Sequence, residues 1–381
     1  MEPRGPRVAQ AASVSAGTST LLGAAIARAI ADAGGWLPFD RFMSMALYAP
    51  GLGYYARGDR QFGRMPGSGS DFVTAPEMSP LFGRTLAAQL AQALAACGGD
   101  TLWEFGAGSG ALAAQLLASD ALGPRLRRYA IVELSGALRE RQRATLAAHA
   151  GRVEWIEALP AAMHGVVVGN EVLDAMPVQL LRRGSTQWFE RGVVVRADGG
   201  FAWEDRPTAL APPHAPADAA HFRPGYVTEI HPQAEAFVAT LAERLQRGAA
   251  FFIDYGFPEA EYYHPQRDGG TLMCHRAHRA DADPLDSVGE KDITAHVDFT
   301  GIALAAQDAG MEVLGYTSQA RFLLNCGLLQ HLEQASLPER AMARRLVDEH
   351  EMGELFKVIG FARGCSFDAI GFAAGDRSHT L

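Results

Sequence analysis

The run Leu102-Trp103-Glu104-Phe105-Gly106-Ala107-Gly108-Ser109-Gly110 restricts the fold of this chain more than any other. Apolar residues of strand character end in a turn with three glycines, and a helical pattern follows through Ala111, Leu112 and Leu116. Glycine reaches backbone angles closed to residues with a Cβ and lets the main chain pass close to a ligand. The pattern then repeats. Strand 102–105 and helix 110–118 are followed by strand 129–133, helix 135–149, and strands at 153–156 and 165–169. Such alternation predicts a parallel sheet with helices on both faces, and open sheets of this kind bind ligands beyond the carboxyl ends of their strands. Glu104, Glu133 and the pair Asn170-Glu171 all fall at those ends.

The glycine turn leaves two ligands open. An acid two positions before Gly106 suits the ammonium in the amino-acid part of S-adenosylmethionine (SAM), whereas the diphosphate of a dinucleotide would be repelled by it. Yet the six residues from Gly106 to Ala111 also satisfy the G-x-G-x-x-G/A dinucleotide fingerprint. Glu133 closes the next strand about 20 residues further on, where a carboxylate meets ribose hydroxyls, and both cofactors carry a ribose. An NAD(P)-dependent oxidoreductase therefore stands as an alternative to a SAM enzyme at this point.

Composition removes other classes. The chain has 381 residues, 34 basic and 43 acidic, for a net charge of −9, which argues against non-specific binding to nucleic acid. Cys97, Cys274, Cys326 and Cys365 are widely spaced, as expected of reduced thiols in the cytoplasm. Cys274, His275, His278 and His264 do not complete a metal site, so no metal is expected. No apolar run reaches the length of a membrane span. Residues 1–20, rich in Ala, Ser and Arg, read as a disordered tail in preference to a weak organellar transit peptide.

Residues 21–99 read as an N-terminal helical extension and cofactor lid, with helices at 21–33 and 38–46 and a third ending near Cys97. The methyl-transfer or redox domain would fill 100–381, with insertions at about 178–218 and 257–297. The first holds an antiparallel meander with a tight turn at Asp198-Gly199-Gly200. Helix 232–246 and strand 249–253 restore the alternation, and helix 298–309 with a strand at 311–314 would close the sheet, followed by helices.

Several stretches together carry a family resemblance. They are Leu47-Tyr48-Ala49-Pro50 with Gly53-Tyr54-Tyr55, Asp71-Phe72-Val73-Thr74-Ala75-Pro76-Glu77, the glycine turn, Gly169-Asn170-Glu171 with Leu173-Asp174-Ala175, Ile253-Asp254-Tyr255-Gly256, and Asp292 to Phe299. In these the chain resembles the MidA-type proteins, which include the mitochondrial complex I assembly methyltransferase and its bacterial relatives. The resemblance implies a class I SAM-dependent methyltransferase fold of Rossmann-like α/β type. It also implies methylation of an arginine on a core subunit of respiratory complex I, in the cytoplasm or, for a eukaryote, the mitochondrial matrix. A non-catalytic SAM-binding assembly chaperone is the competing reading, and the oligomeric state is left open.

On this reading Glu104 and the backbone of Gly106, Gly108 and Gly110 hold the methionine part of SAM, and Glu133 holds the ribose. Asp71, Phe72 and Thr74 close over the cofactor from the segment before the sheet, and Asn170 lies beside the methyl group. Carboxylates bind a guanidinium bidentately, which gives Glu171 and Asp174 the acceptor. His296 would take the departing proton, oriented by Asp298. Asp254 and Tyr255 are expected either to line the pocket or to cap a loop, and Tyr48, Tyr54 and Tyr55 to pack.

Overall fold

The computed structural model describes residues 7–57, 73–213, 221–276 and 279–381. They form two compact units, each built from three stretches of chain.

The larger unit gathers the described residues of 73–174, His231–Tyr262 and His296–Leu381. Its sheet strands are β1 (Thr101–Phe105), β2 (Arg128–Val132), β3 (Val153–Ile156), β4 (Met163–Asn170), β5 (Leu245–Phe257), β6 (Glu312–Ser318) and β7 (Phe356–Arg363). They lie in the order β3-β2-β1-β4-β5-β7-β6, and a two-residue strand, Val297–Asp298, pairs with the end of β5. Strands β1 to β5 run parallel, and β7 is antiparallel to both neighbours. The strand order turns back between β1 and β4, which opens a crevice at their carboxyl ends.

Alternate side chains on the central strands explain the packing. Leu102, Ile131, Val166, Val168, Phe251 and Val358 enter one core with Leu86, Leu90 and Leu94 of the helix Pro80–Cys97 and Leu112 and Leu116 of the helix Ala111–Leu117. On β1 and β5, Phe105 and Phe252 each meet Phe237 of the helix Pro232–Arg244, at ring-centroid distances of 5.1 and 6.0 Å. Each large buried side chain is worth about 1.5–3 kcal/mol relative to exposure, so this double covering holds the strand ends rigid.

The expected alternation is present, with three differences. Residues 136–145 are α-helical, but 147–152 form a tighter 3-10 turn where one helix was expected to 149. The sheet does not end at the strand that follows helix 299–308. β7 inserts between β5 and β6 and replaces part of the helical C-terminus the sequence suggested. Within the expected tail, residues 1–6 lie outside the described residues, and the first helix begins at Arg7 rather than at 21.

The smaller unit gathers described residues of 7–57, Ala175–Ile230 and Tyr263–Ala295. Its antiparallel sheet contains Leu37–Pro38, Gln179–Arg183, Trp188–Val195, Phe201–Pro207 and Val227–Ile230, with a separate three-stranded sheet over residues 273–294. Helix Phe39–Tyr48 packs Phe39 on Trp203 and Phe42 on Phe201, with ring centroids 5.2 and 5.6 Å apart. The N-terminal helices therefore share a core with the meander rather than forming an extension of their own. Tyr48 stacks on Tyr55, while their hydroxyls donate to Ala175 O and Asp292 Oδ1, both at 2.8 Å. Among the described residues, no helix is long and apolar enough to cross a membrane.

Candidate active site

β1 delivers Glu104 to the crevice and then breaks into the glycine loop. Gly106, Gly108 and Gly110 have φ of 65°, 52° and 83°. At Gly106 a Cβ would be strained by that angle and would lie 2.7 Å from Val172 Cγ2, so only glycine lets the loops after β1 and β4 approach so closely. Glu104 is 2% exposed and accepts a hydrogen bond from Tyr129 Oη at 2.8 Å. Burial lifts its carboxyl to about 8, against an ordinary value of 4.5, and the Tyr129 hydroxyl offsets only part of this.

Thr74 stands at the start of the short helix Ala75–Met78, and side-chain bonds join this segment to the glycine loop and to the helix after it. Ser109 Oγ donates to Glu77, Gln115 Nε2 donates to Pro76 O at 2.6 Å, and Gln115 Oε1 accepts from the Gly83 amide at 2.8 Å. Asp71 and Phe72, expected beside Thr74, lie outside the described residues. A cavity of about 510 Å³ opens next to Glu77, Ser109, Gln115 and Arg141, but Glu104, Glu133 and Asn170 do not line it.

Glu133 follows β2. Its Oε1 accepts the Ser135 amide at 2.8 Å and its Oε2 accepts Gln142 Nε2 at 3.2 Å. Burial raises this carboxyl also, opposed by those donors and by Arg139.

The loop after β4 carries the densest group of acids. Asn170 is 8% exposed; its Nδ2 donates to Glu171 Oε1 at 3.0 Å, while its Oδ1 has no hydrogen-bond partner. Glu171 has φ of 53°, a left-handed conformation that costs a non-glycine residue about 1–2 kcal/mol. Asp254, 1% exposed at the end of β5, holds the loop in place. Its Oδ2 accepts the amides of Val172, Leu173 and Asp174 at 3.0, 2.9 and 3.3 Å, and its Oδ1 accepts the Tyr255 amide at 3.0 Å. Burial, then the neighbouring Asp174 and Glu171, push the Asp254 carboxyl up, against the pull of the amides. Tyr255 Oη donates to Asp174 Oδ2. Of the two sequence alternatives for this pair, Asp254 takes the loop cap and Tyr255 the contact with the acid.

His296 stacks on Phe257 and meets the edge of Tyr255, with ring centroids 5.2 and 5.1 Å away. It therefore belongs to the same group as Asp174. His231 accompanies it; burial and the charge of His296 lower His231 to about 3, and its Nε2 pairs with Tyr262 Oη at 3.0 Å. Asp298, expected to orient His296, stands at the start of the next helix. Its Oδ1 accepts the amides of Thr300 and Gly301 at 3.1 and 3.3 Å and caps the helix Phe299–Asp308.

Gln142 and Tyr129 also bond to the acids of the site, and the sequence pattern does not single them out. In Gly136–Thr145 the signal was a polar Gln142 one helical turn from buried Leu138, on the face turned inward. Tyr129 lies in a strand whose remaining inward residues, Ala130 and Ile131, are apolar, so nothing local marks it.

The residues fit SAM. The glycine cradle leaves no room for a side chain at Gly106, an acid stands on either side of the loop, and Asn170 presents an unpaired buried oxygen.

Comparison with known proteins agrees. A family model described as "Putative S-adenosyl-L-methionine-dependent methyltransferase" matches residues 85–317. The mitochondrial protein arginine methyltransferase NDUFAF7 of Danio rerio is 27% identical, covering 83% of this chain and 81% of its own. The Homo sapiens protein of that name is 29% identical, over 83% and 77%. A crystal structure from Burkholderia thailandensis, bound to S-adenosyl-homocysteine, is 52% identical with a TM-score of 0.92 and covers 100% of both chains. The chain belongs to this family of S-adenosyl-L-methionine-dependent methyltransferases.

Proposed function

We propose that the enzyme methylates an arginine side chain of a protein, and that the acceptor is a core subunit of respiratory complex I undergoing assembly. The observation that carries the arginine reading is the acid loop after β4, where Glu171 is held left-handed beside Asp174 and a glycine cradle. The relatives named as protein arginine methyltransferases support it. The complex I subunit follows from the family resemblance, which also assigns the cytoplasm, or the mitochondrial matrix in a eukaryote.

When bound, SAM supplies an electrophilic methyl group on a sulfonium. Glu104 and the loop Gly106 to Gly110 bind its methionine part and Glu133 its ribose, while the segment that carries Thr74 closes over the cofactor. Asn170 Oδ1 offers an acceptor near the reacting group. A guanidinium with a pKa above about 12 holds its proton firmly, so the acceptor side must fix one nitrogen and remove a proton. Glu171 and Asp174 bind the guanidinium fork and localise its positive charge away from the attacking nitrogen. Tyr255 fixes the Asp174 carboxylate. His296 takes the proton, its ring plane set by Phe257.

Calorimetric titration with S-adenosyl-homocysteine and, in parallel, NADH tests the cofactor assignment; micromolar binding of the first alone is expected. Glu171→Gln should keep that binding and cut methyl transfer to an arginine-bearing substrate at least about tenfold, the loss of one charged hydrogen bond. Unchanged turnover would remove Glu171 from the acceptor site.

A further inference from the structure

Three elements of the cofactor edge meet on one side chain. Gln142 is fully buried. Its Nε2 donates to Gly108 O at 3.0 Å and to Glu133 Oε2 at 3.2 Å, and its Oε1 accepts the indole N–H of Trp155, on β3, at 2.9 Å. The orientation of this amide is unambiguous. An indole only donates, and a carbonyl and an ionised carboxylate only accept, so the flipped amide would lose all three bonds. The helix also lies close against the loop, since a Cβ at Gly110 would reach Gln142 Cα and Cγ at 3.6 Å.

We propose that Gln142 is a positioning residue for the cofactor, locking the glycine loop, the ribose-binding carboxylate of Glu133 and β3 into one preformed cradle. A carboxylate oxygen accepts about two hydrogen bonds. With the Ser135 amide on Oε1, Gln142 on Oε2 and the Leu134 amide also donating, one of about four acceptor positions remains, a match for a ribose hydroxyl. The Gln142 amide thus fixes the direction in which Glu133 points without consuming that position. This inference rests on the assignment of Glu133 to the ribose.

The charges facing the group are few. Glu133 approaches from the end of β2. Arg139, on the same helix, acts on Glu133 and is paired with Glu157. Arg143 lies 5.2 Å over the Trp155 ring and is bonded to Glu140 at 2.5 Å.

Gln142→Met keeps the volume and removes the hydrogen bonds, whereas Gln142→Glu keeps the shape and places a second carboxylate against Glu133. S-adenosyl-homocysteine binding is measured on the full-length protein by calorimetry from about pH 6 to about pH 8.5, each variant relative to wild type. Two carboxylates in contact share a proton, and that proton restores a donor. Gln142→Met should bind roughly tenfold to a hundredfold more weakly at every pH, the cost of hydrogen bonds to a charged group. Gln142→Glu should be at least as weak at high pH and recover about tenfold as the pH falls. Both should raise KM for SAM with kcat kept at saturation. Wild-type affinity in Gln142→Glu at high pH, a deficit that ignores pH, or failure of both variants to fold would overturn the proposal. Unchanged binding by Glu133→Gln would instead sink the ribose assignment beneath it.

Discussion

Glu104→Gln should make the enzyme more stable as it makes the cofactor site worse, and the size of the effect follows from burial. The folded Glu104 carboxyl stands at about 8 and the unfolded one at 4.5. Below the lower value both states are protonated and the residue has no influence. As pH climbs, the unfolded chain ionises first while the folded protein retains its proton, so stability is lost progressively up to the folded value. Between about pH 5 and about pH 8 that loss is roughly 3 kcal/mol for a fully buried carboxyl. Glutamine still offers an oxygen to the Tyr129 hydroxyl and cannot ionise. Its extra N–H group costs the same at every pH, so the decisive quantity is the difference in slope. Other raised carboxyls, such as Asp298 at about 7, are common to both proteins and cancel. Thermal melts without cofactor should show the Tm gap between variant and wild type widening by roughly 4 °C over that range, given the unfolding entropy of a chain of 381 residues. On the proposed assignment of Glu104 to the methionine part of SAM, the cofactor's ammonium favours the ionised carboxylate, so wild-type binding should release a proton and strengthen with pH, while the variant binds weakly and without that trend. Parallel melting curves would refute the reasoning, because they would mean that Glu104 is already ionised in the empty fold.

Two other substitutions probe the loops on either side of the crevice. Gly106→Ala forces a left-handed alanine at about 1–2 kcal/mol and presses its Cβ on Val172, so Tm should fall by several degrees and S-adenosyl-homocysteine binding should drop more than about tenfold. A normal titration would show that the two loops can move apart. Asp254→Ala strands the amides of Val172, Leu173 and Asp174, a cost of roughly 3 kcal/mol or more that chemical denaturation can read, with turnover falling further than cofactor affinity. Equal losses in both would reduce Asp254 to a general support of the fold.

What the sequence disclosed and what it concealed divide along a physical line. The glycine turn and the acids at strand ends were legible because each is a local signal, a few adjacent residues whose chemistry needs no partner elsewhere. Strand β7 was not. Val358-Ile359-Gly360-Phe361-Ala362 is a continuous apolar run, which periodicity cannot distinguish from buried helix, and its partner β5 lies more than 100 residues upstream. Gln142 was concealed for a related reason, since its three partners come from separate strand ends. Asp254 could be read either as a pocket wall or as a cap, and only the three amides gathered on one oxygen decide between them.

The chain passes from one unit to the other five times before it ends. This has a consequence for the order in which the protein can be made. The smaller unit lacks its last sheet until residue 294 has been synthesised, and the sheet of the larger unit lacks β6 and β7 until residue 363. Neither unit can be completed while most of the chain is still on the ribosome, and no single cut releases either one intact. Expression of the cofactor-binding sheet alone should therefore require stitching three segments together, and the nascent chain should depend on chaperones for longer than a protein whose domains follow one another.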